Sequence, residues 1–328
     1  MKYIHPHDRF SHHTHKNNIS TDVINQAVYQ FDPSLKHFNY RCLDGGFMNA
    51  NFLIENKNKK YVFRFYSSSS ETAEREKGIL TFLEKKEVKA PKHYNLMKID
   101  QTLVAVIEYI DGINFENKLL KGNSCPPHLY FEIGRELAKI HSITFARPGF
   151  IGKEMMVGNE YDDFAFFLKG FIFRTLKMLE TKPDRLDLKT IERLVHLMDK
   201  QWCIVEECKS INQLVHTDFN PKNLMVANDP VAHLLAVIDW EFALSGNGVI
   251  DLGNFFRFSY DFETKSEVQF EQGYRSINQT LPKNWREVSR MLDIANMCSF
   301  LERPENYQKS FFTARNVLHA TLDYFKIE

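Results

Sequence analysis

The chain has 328 residues, 43% hydrophobic and 26% charged. That composition excludes a wholly disordered chain, and the length favours two lobes over one compact core. Lys+Arg and Asp+Glu both number 42, so the basic excess of a nucleic-acid binder is missing.

The N-terminus has no apolar signal region, and His5, His7, His12, His13 and His15 crowd it. A metal-binding tract is one reading. No carboxylate or cysteine cluster nearby completes a defined site, which favours a polar arm over residues 1–20. No stretch reaches the ~18 uncharged apolar residues of a membrane span. Cys42, Cys125, Cys203, Cys208 and Cys298 are odd in number and irregular in spacing. Reduced thiols in a cytoplasmic chain are expected.

From 40 to 66 the pattern is strand, turn, strand, rich in Phe, Tyr and Val and alternating as an antiparallel sheet does. Ser70 is placed to cap a helix carrying Glu76, Ile79, Leu80 and Leu83. Two more strands are expected near 93–99 and 103–109. Beyond Gly112 apolar residues recur at three- and four-residue steps, predicting helices over 129–141, 163–179, 186–208, 251–260, 288–301 and 311–325. Two short apolar strands, 224–227 and 234–238, interrupt them. The expectation is an α+β, two-lobe fold: residues 1–110 a small sheet-plus-helix lobe, residues 111–328 a mainly helical one. Phenylalanine, at 28 residues, reads as core filling.

The sharpest chemical signal is His216-Thr217-Asp218-Phe219-Asn220-Pro221-Lys222-Asn223, followed sixteen residues on by Asp239 at the end of an apolar strand. Phosphoryl transfer needs a carboxylate to accept the acceptor's hydroxyl proton, and hard oxygens to hold Mg2+ on the phosphates. Asp218 suits the first task; Asn223 and Asp239 suit the second. Each residue by itself would pass for a turn former; the three in this order point to one mechanism.

HTDFNPKN and VIDWEFALSGNGVIDLGN resemble the aminoglycoside phosphotransferase family of small-molecule kinases, from about Tyr40 to the chain end. The resemblance implies a protein-kinase-like fold with ATP between the lobes. Asp218 would be the catalytic base, Asn223 and Asp239 the Mg2+ ligands, and His216 the loop's anchor. Gly45, Gly46 and Asn49 match the short glycine loop over the phosphates. Arg64 stands where the fold usually has lysine, with Glu76 as its acidic partner, and Glu108 to Ile110 match the adenine hinge. Gly134-x-x-Leu137-Ala138-x-x-His141 matches the helix before the catalytic loop, its histidine reading as a core residue. Asp251 is expected to cap a helix and brace the loop.

A protein kinase is disfavoured. There is no G-x-G-x-x-G, Asn220 stands at a lysine position, and Asp251 lies only twelve positions beyond Asp239. The expected partner is a small-molecule hydroxyl acceptor, with no nucleic acid and no membrane. An aminoglycoside-type antibiotic, with a role in resistance, fits acidic walls at 154–163 or 261–271. DWEFALSGNGVIDLGNFF also resembles choline and ethanolamine kinases, which bind a cation with carboxylates and aromatic faces; Glu241 and Trp240 would then face the acceptor. Both acidic runs are equally readable as solvated faces. A non-catalytic nucleotide-binding module on the same fold is the remaining alternative. Residues 1–110 carry 16 Lys+Arg against 12 Asp+Glu, so the zero net charge conceals a basic first lobe and an acidic second.

Overall fold

The computed structural model describes residues 19–35, 37–43, 49–67, 70–120, 125–208, 212–258, 262–277 and 280–327. The histidine-rich arm and Gly45–Gly46 lie outside them.

Helix α1 (Thr21–Phe31) comes first, capped by Ser20, whose hydroxyl accepts from Val23 N–H. Strands β1 (Asn39–Leu43), β2 (Asn49–Glu55) and β3 (Lys60–Tyr66) follow, then α2 (Ser70–Lys85), β4 (His93–Ile99) and β5 (Thr102–Glu108). The five strands form one antiparallel sheet ordered β1-β2-β3-β5-β4. Ser70 is already helical, so the capping position falls outside the described residues.

Period-two alternation divides β3 between two cores. Phe63 and Phe65 pack with Ile24, Ala27 and Val28 of α1. Val62 and Tyr66 pack on the other side with Ala73, Ile79, Leu80 and Leu83 of α2. Arg64 lies between Val62 and Tyr66 on that α2 face. Helix α1 was not expected from the sequence; it covers the sheet face that would otherwise expose Phe63 and Phe65.

The chain continues through β6 (Ile113–Asn114), α3 (Phe115–Leu120) and α4 (Pro127–His141), then β7 (Gly149–Ile151) and β8 (Val157–Glu160). Helices α5 (Phe164–Leu179), α6 (Leu188–Gln201) and α7 (Cys203–Glu207) precede β9 (Gln213–Val215), β10 (Leu224–Val226), β11 (Leu234–Val237) and β12 (Leu244–Gly246). Helices α8 (Val249–Phe255), α9 (Thr264–Arg275), α10 (Trp285–Leu301) and α11 (Gln308–Tyr324) end it. The single helix expected over 186–208 is two, separated at Trp202, because periodicity does not register a one-residue turn. Strands β7, β8 and β12 are too short to show an alternation.

Gly134 of α4 and Gly273 of α9 let these helices meet backbone to backbone. A Cβ on Gly134 would lie 2.1 Å from Phe270 O, and one on Gly273 2.0 Å from Phe131 O. Many phenylalanines do fill the core: Phe255 contacts the rings of Phe115, Phe219, Phe256, Phe262 and Phe270. All five cysteines are free. Among the described residues no helix is long and apolar enough to cross a membrane.

Candidate active site

The loop after β9 is held from below by one carboxylate. His216 N–H donates to Asp251 Oδ2 (2.8 Å) and Thr217 N–H to Asp251 Oδ1 (2.8 Å). His141 Nε2 lies 3.2 Å from Asp251 Oδ2, and its Nδ1 lies 2.8 Å from the Tyr274 hydroxyl. Asp251 and His141 are both buried. Thr217 sits at φ 67°, a conformation costly for a β-branched residue. The paired bonds to Asp251 are what can hold it there. Asp251 does not cap α8, as the sequence suggested. Gly248 occupies the cap, and Asp251 lies inside the first turn, aimed at the loop.

His216 is fully buried and has no proton to spare. Its Nδ1 accepts from Asp218 N–H (3.2 Å), so Nε2 carries the hydrogen and donates to Ile238 O (2.9 Å). Its ring packs edge-on against Trp240 at 4.6 Å. The Asp218 carboxylate is oriented by two amides: Asn220 Nδ2 donates to Oδ1 (2.6 Å) and Asn223 Nδ2 to Oδ2 (2.8 Å). Burial pushes its carboxyl above the usual aspartate value, and repulsion from Asp239 adds to this.

Antiparallel pairing of β10 with β11 brings Asn223 beside Asp239. Leu224 pairs with Val237, and Ile238 N–H donates to Asn223 O (2.9 Å). Asp239 sits at φ 71°, which turns its side chain out of the strand line. Asn223 spends both amide hydrogens on Asp218, on Oδ2 and on the backbone carbonyl (3.0 Å), so its Oδ1 remains as a hard acceptor. One amide oxygen and one partly exposed carboxylate fit Mg2+, which takes few protein ligands.

Arg64 bridges the sheet and this site. It pairs with Glu76 through Nη1, donates through Nε to Asn51 Oδ1 (3.0 Å), and holds Nη2 3.6 Å from Asp239 Oδ1. Register explains the first contacts: Asn51 lies directly across from Arg64 on β2, and the small Ala105 lies across on β5. Tyr66, two residues on and on the same face, donates its hydroxyl to the other Glu76 oxygen. Arg64 and Glu76 are both nearly excluded from solvent.

Not every expected residue stands where the sequence put it. Glu241 does not face an open acceptor space. It is 7% exposed and turned to the first sheet, accepting from Asn49 Nδ2 (3.1 Å). Burial first, then Asp239, pushes its carboxyl up to about 7. Trp240 is fully buried, with its indole N–H donated to Val237 O (2.9 Å), so it has no face for a cationic substrate. Glu108 exchanges bonds with Lys92: its N–H donates to Lys92 O (2.9 Å) and its carboxylate accepts from Lys92 N–H (3.1 Å). Ile110 O accepts from Gly112 N–H (2.9 Å). Of the acidic runs, Glu160 and Asp162 pair with Arg147, Asp163 caps α5, and Glu267 and Glu271 pair with Arg286 and Arg275. Asp261 lies outside the described residues.

Sequence reasoning missed Asn51, Tyr66, Asn220 and Arg75, the last donating to Glu241 O. Asn220 was visible inside the loop motif. Asn51 and Arg75 become meaningful only through strand register and interlobe contact.

A profile of the phosphotransferase enzyme family matches residues 40–288. No curated protein sequence matches the chain. The crystal structure of aminoglycoside phosphotransferase APH(4)-Ia superposes with a TM-score of 0.67 at 15% identity, covering 93% of this chain and 99% of that one. A putative aminoglycoside phosphotransferase from Ralstonia eutropha gives 0.66 at 17% identity, over 94% and 98%. An ethanolamine kinase from Plasmodium vivax gives 0.61 at 15%, over 90% and 85%. A thermostable mutant of the first was solved as a ternary complex with ADP and hygromycin B. At these identities the solved structures establish a shared kinase-like fold. The profile match spans most of the chain and includes the Asp218 loop and Asp239: the chain belongs to the phosphotransferase enzyme family.

Proposed function

We propose that this protein is an ATP- and Mg2+-dependent kinase that transfers the γ-phosphoryl group to a hydroxyl of a small molecule. The observation that carries this reading is the Asp218 carboxylate, oriented by Asn220 and Asn223 and braced by Asp251.

Asp218 is the general base. It accepts the proton of the acceptor hydroxyl as the acceptor oxygen bonds to the γ-phosphorus; the bond to the bridging oxygen breaks and ADP leaves. A raised carboxyl pKa brings the base closer to working pH than an ordinary aspartate. Asn223 Oδ1 and Asp239 would hold Mg2+, which neutralises charge developing on the phosphates. Arg64, fixed by Glu76 and Asn51, orients Asp239 and supplies positive charge at the nucleotide side. Gly45, Gly46 and Asn49 are assigned to the phosphate loop, and Glu108 and Ile110 to the adenine hinge. Residues 1–110 and 111–328 act as the nucleotide and acceptor lobes.

A cleft of about 280 Å³ is lined by Phe256, Arg257, Trp285 and Asp293, among others, though not by Asp218. Arg257 is close enough to Asp218 to influence its carboxyl. The relatives named above, one bound to hygromycin B and one an ethanolamine kinase, make amino-alcohol and aminoglycoside acceptors the first to try. The test is Mg2+-dependent ADP release across aminoglycosides, choline, ethanolamine and sugars. Stimulation by one of these is expected. ATP-induced thermal stabilisation with no acceptor-stimulated turnover would overturn the kinase reading in favour of a nucleotide-binding module.

A further inference from the structure

His128 and Glu132 lie four residues apart on α4, so both project from one face of the helix. His233 faces them from the turn that leads into β11. One ligand atom from each lies within 4.8 Å of the others. Glu132 Oε1 is 2.7 Å from His233 Nδ1, and Oε2 accepts from Leu234 N–H (2.9 Å). The two imidazole rings are 5.3 Å apart, centroid to centroid. His128 Nε2 is buried and has no hydrogen-bond partner. A buried ring nitrogen without a partner costs free energy unless something fills its place.

We propose that His128, Glu132 and His233 form a zinc site, with water as the fourth ligand. Two imidazole nitrogens and one carboxylate oxygen suit Zn(II) in tetrahedral geometry, and do not suit Mg2+, which prefers oxygen alone. Bonds of ~2.0–2.1 Å at tetrahedral angles put ligands roughly 3.3 Å apart. Glu132 Oε1 and His233 Nδ1, now 2.7 Å apart, would therefore part by about half an ångström, while the widest separation, within 4.8 Å, would close by up to about 1.5 Å. His233, exposed and in a turn, can supply that movement by changing rotamer. If its Nδ1 ligates, it gives up the hydrogen bond to Glu132, and the neutral ring carries its one hydrogen on Nε2.

The site is separate from the catalytic loop. Asn223 and Ile238 sit at one end of the β10–β11 hairpin, and His233, whose carbonyl accepts from Ala227 N–H (2.9 Å), sits at the other. Lys89, from the segment between α2 and β4, lies 3.8 Å from Glu132 and donates to Leu234 O (2.6 Å). An occupied site would tie α4 to the hairpin where the first sheet's connection also docks.

The N-terminal histidines are a competing sink for metal. Zn(II) is therefore titrated calorimetrically, with excess MgCl2, into a full-length chain carrying His5→Ala, His7→Ala, His12→Ala, His13→Ala and His15→Ala. One equivalent is expected to bind and to raise the melting temperature. His128→Ala and His233→Ala, added separately, should each remove that equivalent while leaving the metal-free melting temperature near its parent's. Asn223→Ala should keep it. Co(II) in place of Zn(II) should give the visible absorption of four-coordinate cobalt. Failure to bind an equivalent, its survival in both histidine variants, or its loss in Asn223→Ala instead would overturn the proposal.

Discussion

Asn223 donates its side-chain amide to Asp218 Oδ2 at 2.8 Å and to the Asp218 carbonyl at 3.0 Å. The same side chain thereby orients one carboxylate and presents its own oxygen elsewhere. On the proposed reading, a base and a metal ligand are coupled through a single amide.

Asp218→Asn should lower turnover by on the order of 100-fold or more, since the base is lost while the shape is kept. ADP affinity, read by calorimetry, should change little. Turnover near that of the parent would sink the assignment of Asp218.

Arg64 serves Glu76, Asn51 and Asp239 together, a geometry a forked guanidinium can satisfy and a single ammonium cannot. Arg64→Lys should cost about 1–2 kcal/mol of stability. Arg64→Met leaves Glu76 buried without its cation and should cost roughly 3–5 kcal/mol. Urea denaturation of the three proteins gives the order; Met as mild as Lys would contradict it.

Asp251→Asn keeps one acceptor but loses the charge that serves His216 N–H, Thr217 N–H and His141. A loss of about 2 kcal/mol is expected, with a lower kcat as Thr217 relaxes from its left-handed conformation. An unchanged kcat at reduced stability would confine Asp251 to the fold.

Burial of His93 on β4 lowers its pKa. The unfolded chain therefore binds a proton at that residue below about pH 6.5, where the folded chain does not. Stability from this group is present above that value and is lost as pH falls through the lowered folded pKa. The fall in melting temperature from pH 7.5 to pH 5.5 should be smaller in His93→Phe than in the parent. Equal falls would show that His93 charges freely in the fold.

The loop motif was legible in one dimension because its parts lie within a few residues of one another. His216, Asp218, Asn220 and Asn223 form a local unit whose bonds span two to five positions. The sheet-then-helix order was legible for a similar reason, since the periodicities of strand and helix are local. Trp240 and Glu241 were misjudged because adjacency to Asp239 says nothing about which way a side chain turns. Burial against His216 settles the first, and a bond to Asn49, 192 positions away, the second.

By itself, then, the amino-acid order determined the kinase-like architecture and marked out the residues proposed for phosphoryl chemistry, both being encoded in short-range pattern. Tertiary structure alone decided how they are used. Asp251 braces the loop as expected, but from inside the first turn of α8 and not from its cap. Arg64 reaches Asp239 because strand alternation turns it toward α2. His233 meets His128 because a hairpin turn lies against α4. Each depends on contacts between residues remote in sequence, and no local pattern carries that information.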